Sequence, residues 1–160
     1  MPNVRYHFEL DSFSIQFHAL RDIKAGEQLL YAYSCCNSTV AGRQIEHASY
    51  GFVCKCPACV NATPKTDRLR QQYQGQIDFL TTALEKSLKV DEFLLRTAVD
   101  LEKEVDKEGL RGDVRFVKLL RAISLAYTKL GKPKKSAKYG VLADTLQNCF
   151  RKDQFPISHR

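Results

Sequence analysis

Three cysteines at C-x-C-x2-C spacing constrain this chain more than any other feature. They lie in the stretch Tyr50-Gly-Phe-Val-Cys54-Lys-Cys56-Pro-Ala-Cys59. So short a loop lets three thiolates converge on one ion. A structural zinc site takes four ligands in a tetrahedron, usually Cys or His. The spacing therefore predicts Zn2+ held by Cys54, Cys56 and Cys59, with a fourth ligand supplied from elsewhere. The competing reading is three free thiols. The chain carries six cysteines in 160 residues. Clustered, and without a charged-then-apolar leader segment, they favour metal or free thiols in a reducing compartment over a disulfide frame. The expected location is the cytoplasm, the nucleus or both.

Charge narrows the partners. The net charge is +7, and it is unevenly placed. Residues 1–63 balance, with Arg5, Arg21, Lys24, Arg43 and Lys55 against Glu9, Asp11, Asp22, Glu27 and Glu46. The excess lies in residues 64–160 and peaks at Lys129, Lys132, Lys134, Lys135 and Lys138. Such a cluster can contact nucleic acid, anionic lipid or an acidic protein. No aromatic residues interleave to stack on bases, so a solvated loop and helix start is the preferred reading and nucleic acid is not an expected partner. No apolar run is long enough to span a bilayer.

The texture of the chain changes near Pro64. Before it the pattern reads as β. Tyr6, Phe8 and Leu10 share one face of a strand, and Phe13, Ile15 and Phe17 share one face of the next, with Asp11-Ser12 as the turn. Leu29-Leu-Tyr-Ala-Tyr33 reads as a short buried strand. Ser38 or Thr39 is placed to cap a short helix to about His47. After Pro64 the period is helical. Leu69, Tyr73, Ile77, Leu80, Leu84 and Leu88 draw one apolar stripe. Asp91 caps a second helix carrying Leu94, Ala98, Leu101 and Val105, and Asp113 caps a third carrying Phe116, Leu119, Leu120, Ile123, Tyr127 and Leu130. Pro133 suits the first turn of a fourth, with Ala137, Leu142, Thr145, Leu146, Cys149 and Phe150 on its stripe. Short loops between antiparallel helices predict helical hairpins of the tetratricopeptide kind, with no full repeat at a fixed period. Residues after Pro156 read as a tail.

Taken together, Met1-Pro-Asn3, the stretch Phe17-His-Ala-Leu-Arg-Asp-Ile-Lys-Ala-Gly-Glu-Gln-Leu-Leu-Tyr-Ala-Tyr33 and Tyr50 through Cys59 resemble the C-terminal half of a SET-domain protein lysine methyltransferase. The likeness is greatest to the SET–MYND subgroup and related fungal SET proteins. In that family a strand of the form A-x-R-D-I-x-x-G-E-E-L leads to a tyrosine, then a helix, then Y-x-F-x-C-x-C-x-x-C. The likeness runs over about residues 1–60. It implies an α+β fold: the C-terminal part of a SET domain in residues 1–49 and a post-SET cysteine loop in residues 50–63. An all-α helical-hairpin region follows in residues 64–155, with a tail in residues 156–160.

The resemblance also assigns roles. Tyr33 matches the tyrosine that closes the family's active site, Tyr50 the residue lining the substrate-lysine channel, and Phe52 the residue packing on the adenine of S-adenosylmethionine. For each, the plain alternative is an aromatic that anchors a strand or loop. In the family the fourth zinc ligand is the cysteine of N-H-S-C-x-P-N, of which Met1-Pro2-Asn3 matches only x-P-N. The chain is therefore expected to be part of a longer protein, with Met1 internal to it. Within the chain itself Cys35, Cys36 or His47 could take that place. Family members often carry Asp or Tyr where Cys35 stands. Cys149 reads as core, and nothing marks His7 or His18 as ligands.

Two functions follow as expectations. The first is the C-terminal portion of an S-adenosylmethionine-dependent lysine methyltransferase acting on histones or other proteins, inactive as an isolated piece, with a further protein partner on the helices. The second is a non-catalytic, zinc-stabilised interaction module derived from such a protein.

Overall fold

The computed structural model describes residues 2–33 and 36–150. The chain is rich in helix, with one small sheet. Strands β1 (Val4–Glu9) and β2 (Ser14–Ala19) form an antiparallel hairpin. Helix α1 (Val40–Ala48) precedes the cysteine loop, and the single turn α2 (Pro57–Val60) lies within it. Helices α3 (Pro64–Lys86), α4 (Glu92–Lys107), α5 (Val114–Lys129) and α6 (Pro133–Asn148) follow. No described helix is long and apolar enough to cross a membrane.

Helix boundaries follow local chemistry. Thr63 and Thr66 form a reciprocal capping box across the first turn of α3, which opens on Pro64. The Asp91 carboxylate accepts from the amides of Phe93 and Leu94, and that of Asp113 from Arg115. Helix α5 is apolar on several sides, as a central helix must be. It packs against α3, α4 and α6 and buries Phe116, Leu119, Leu120 and Ile123 completely. The core gathers around it from Tyr73, Ile77, Leu80 and Leu84 of α3, Ala98, Leu101 and Val105 of α4, and Ala143 and Leu146 of α6.

Three expectations about packing are corrected. Leu88 lies past the end of α3 and is fully exposed, because the stripe it would extend has no helix beneath it. On α6, Ala137 and Thr145 face solvent, and the buried side is Tyr139, Ala143 and Leu146. Leu29 to Tyr33 is not a buried strand. The segment is irregular, and Leu29, Leu30 and Tyr33 are exposed.

Asn3 explains the path of that segment. It is buried, its amide nitrogen donates to Glu27 Oε1 and the Gln28 carbonyl at 2.9 Å each, and its Oδ1 accepts from the Leu30 amide at 2.7 Å. The backbone amides of Asn3 and Val4 both donate to the Leu30 carbonyl. The Asn3 side chain and these two amides together hold the segment where a strand would have a ladder.

The hairpin has the expected alternation. Tyr6 pairs with Phe17 and Phe8 with Ile15, on one face. That row stays about half exposed, while His7 on the opposite face is buried and stacks on His18 at 4.9 Å. The start of the hairpin docks on the helices instead. Arg5 donates to the Gly112 carbonyl at 3.1 Å and lies over the Phe150 ring. A two-stranded sheet needs a further layer to bury its apolar face, and no strand of the described residues extends this one.

The lysine cluster is partly engaged by the fold. Lys129 Nζ donates to the carbonyls of Leu84, Glu85 and Ser87 at the end of α3, an arrangement that suits the negative end of a helix. Lys135 and Lys138 lie over the rings of Tyr127 and Tyr139.

Candidate metal centre and aromatic cluster

The cysteine loop is held by helix α1. Thr39 caps α1 through the Gly42 amide, and Asp67 of α3 accepts from the Val40 amide at 2.9 Å, which sets the helix against the helical region. Gln44 then clamps Cys54: its amide nitrogen donates to the Cys54 carbonyl and its oxygen accepts from the Cys54 amide, both at 2.9 Å. Arg43 is buried beside it. Its guanidinium donates to the Ser38 carbonyl, to the Ala58 carbonyl at 3.1 Å and to Cys59 Sγ at 3.6 Å. Gly51 enters the loop at φ +74, a conformation that favours glycine.

The single turn of α2 brings the last two sulfurs together. Cys56 stands at its start, and the Cys59 amide donates to the Cys56 carbonyl at 2.9 Å. The sulfurs of Cys54, Cys56 and Cys59 all lie within 4.8 Å of one another. Zinc–thiolate bonds of about 2.3 Å in a tetrahedron place sulfurs about 3.8 Å apart, so small side-chain rotations would close them on an ion. The donor set fits zinc. No fourth His, Cys, Asp or Glu of the described residues joins the trio within that distance. His47 instead stacks on Phe52 at 5.1 Å, and Cys36 packs against the helical core. Cys35 lies outside the described residues.

The thiols differ in acidity. Burial opposes ionisation of Cys56, but the Cys59 amide and the neighbouring thiols prevail and leave it below the ordinary thiol range. Burial first, and then the neighbouring thiols, push Cys59 up against the pull of Arg43. Three adjacent thiols cannot all ionise easily without a cation among them.

Beside the loop the structure gathers an aromatic cluster. Tyr33 stacks on Tyr31 at 4.5 Å and meets Tyr50 at 5.6 Å and Phe52 at 5.9 Å, both edge to face. Tyr31 also meets Tyr6 and Phe17. The three residues singled out from sequence therefore come together, although Tyr33 is separated from Tyr50 and Phe52 by the whole of α1. Sequence reasoning missed Tyr31, Arg43 and Gln44. Tyr31 had a signal, since it stands two residues before Tyr33 in a stretch that reads as strand, where such a pair shares a face. Hydrogen bonding with Tyr33, then burial, raises the Tyr31 phenol above its usual range. A cleft of about 710 Å³ adjoins the cluster and is lined by Arg5, Tyr6, Tyr31, Tyr73, Asp113 and Phe150.

Acid should loosen the segment that carries these tyrosines. Glu27 accepts from Arg21, from Asn3 and from the Lys24 amide, and these bonds, Arg21 first, lower its carboxyl to about 2. A depressed carboxyl contributes fully above its unfolded value of about 4.3 and loses that contribution as the pH falls toward about 2. The ring shifts of Tyr31 and Tyr33, read by NMR, are expected to move through that window. Glu27→Gln should abolish the step; persistence of the same step in the variant would locate it elsewhere.

A stretch of 64 residues is 34% identical to the human protein-lysine N-trimethyltransferase SMYD5, and the chicken protein of the same name matches equally. The match covers 38% of this chain and 15% of the length of each relative. No protein-family model matches the chain, and no solved structure matches it. The chain thus has distant, partial homology to a protein-lysine methyltransferase.

Proposed function

We propose that the chain is the C-terminal portion of a SET-type, S-adenosylmethionine-dependent protein-lysine N-methyltransferase, working as part of a longer enzyme. The observation that carries the reading is the convergence of Tyr33, Tyr50 and Phe52 on one cluster beside a three-thiol metal loop. The partial match to a protein-lysine methyltransferase supports it.

In this reading Tyr50 and Tyr33 wall a channel for a lysine stem, whose ammonium or methylated head is favoured by aromatic faces. S-adenosylmethionine supplies an electrophilic methyl group, and Phe52, which is 40% exposed, packs on the adenine. The lysine amine must arrive neutral and in line with the methyl–sulfur bond. The nitrogen–carbon bond forms as that bond breaks, and the amine proton leaves to solvent. The Tyr33 hydroxyl orients the reactants by hydrogen bonding without reacting. Zinc at Cys54, Cys56 and Cys59 ties the segment bearing Tyr50 and Phe52 to the rest. The adjoining cleft has room for residues flanking a target lysine on a histone or another protein, and the helices offer a surface to a further protein. A thiolate site of this kind suits the cytoplasm or nucleus.

The test is transfer of a labelled methyl group to lysine peptides by the full reading frame that encodes this chain. Transfer is expected from it, with kcat at least a hundredfold lower in Tyr33→Phe, and none from the 160 residues alone. No transfer by the full protein would overturn the reading in favour of a zinc-stabilised interaction module. Full activity in Tyr33→Phe would remove that residue's role.

A further inference from the structure

We infer that Arg43 is a charge-balancing and positioning residue of the metal centre, and not merely a tie between helix α1 and the cysteine loop. The inference rests on the reading that Cys54, Cys56 and Cys59 hold zinc.

Arg43 is 4% exposed. Its partners are the carbonyls of Ser38 and Ala58 and the sulfur of Cys59. No carboxylate among the described residues pairs with it. A guanidinium stays protonated at any pH a protein meets, and a buried cation without an anion is strongly unfavourable. Neutral thiols do not answer that charge. Three thiolates on a divalent zinc do, because together they carry a net charge of about minus one. A cation donating to one of the sulfurs makes the loaded centre neutral as a unit. With a fourth thiolate it still removes half of the excess charge. The environment of Arg43 is therefore completed by the metal-loaded loop, and the loaded loop is stabilised by Arg43. Gln44 supplies the neutral half of the same device by holding the Cys54 backbone in place.

The probe is zinc alone, measured by competition with a chromophoric chelator on the whole chain, with cobalt substitution as a second readout. Groups that support metal ligands from behind typically contribute 10- to 100-fold in affinity. Arg43→Gln is expected to weaken zinc binding by about that factor. It should also move the sulfur-to-cobalt charge-transfer band to lower energy, because the sulfur loses a charged donor. Arg43→Lys keeps the charge and loses the planar fork, so it should remain within about tenfold of wild type. A tie with no electrostatic role would lower thermal stability in both variants and leave the cobalt band unmoved.

If Arg43→Gln matches wild type in affinity and band energy, or if Arg43→Lys loses as much as Arg43→Gln, the inference fails. If the wild-type chain takes up no zinc, the metal reading itself fails, and the two failures are thereby distinguished.

Discussion

Cys56→Ser is expected to reduce bound zinc from about one ion per chain to less than a tenth of that, as measured by metal analysis of the purified protein. Binding at a structural zinc site is worth on the order of 10 kcal/mol or more at neutral pH, shared among its thiolates. A serine hydroxyl neither ionises nor softens into a comparable ligand. Cys56 lies below the ordinary thiol range, so its loss removes a ligand already inclined to ionise. The damage should stay local. Of the three cysteines only Cys59 is buried, and none belongs to the apolar core around α5. Helix content and the unfolding midpoint of the helical region should therefore change little. Protection from proteolysis should fall in the loop containing Tyr50 and Phe52, and chelation of the wild-type protein should reproduce the same pattern. A chain that retains one zinc after Cys56→Ser would remove the trio as the site. A wild-type chain that folds fully without metal and takes up none would do the same.

The features legible in sequence are those determined by near neighbours. Alternation placed Tyr6 and Phe8 on one strand face and Ile15 and Phe17 on one face of the next, because a strand's period of two is a local property, and in the structure these two rows pair. Asp91 and Asp113 marked helix starts because capping involves residues two or three apart, and Pro133 because its fixed φ suits the first turn. Cys54, Cys56 and Cys59 were recognisable as a trio because a short loop brings them together. What covers a face depends on distant chain and is not written in its period. The row of Tyr6, Phe8, Ile15 and Phe17 is apolar by its alternation, yet it stands about half exposed. Leu29 to Tyr33 reads as strand, yet it is irregular, and Leu30 is held by the side chain of Asn3 and by the backbone amides of Asn3 and Val4. Arg43 and Gln44 carried no signal at all. On an amphipathic helix a charged residue and an amide look like solvent-facing positions, and only the folded loop shows what they hold.

The scaffold beneath the site should fail most sharply at Arg70. This side chain is 3% exposed and donates to the Cys36 carbonyl at 3.0 Å, the Glu108 carbonyl at 2.8 Å and the Glu108 carboxylate at 2.9 Å. One guanidinium thus joins α3 to the end of α4 and to the segment that leads into α1. Arg70→Met keeps the stem and removes every donor, leaving a largely buried carboxylate and two carbonyls unanswered. Breaking such a pair from one side costs about 3–5 kcal/mol. For a chain of this size that corresponds to a fall of roughly 10–15 °C in Tm, read by circular dichroism. Removing both partners is a different matter, because a buried pair replaced by apolar side chains is often neutral in stability. Arg70→Met combined with Glu108→Leu should therefore regain most of the loss in Tm. It should not restore the link to Cys36, so zinc affinity should remain lower than in the wild type even where Tm recovers. That divergence separates the two tasks of Arg70, holding the helices together and presenting α1 to the cysteine loop. Equal recovery of both quantities would show that the loop depends on the helices only through their overall stability.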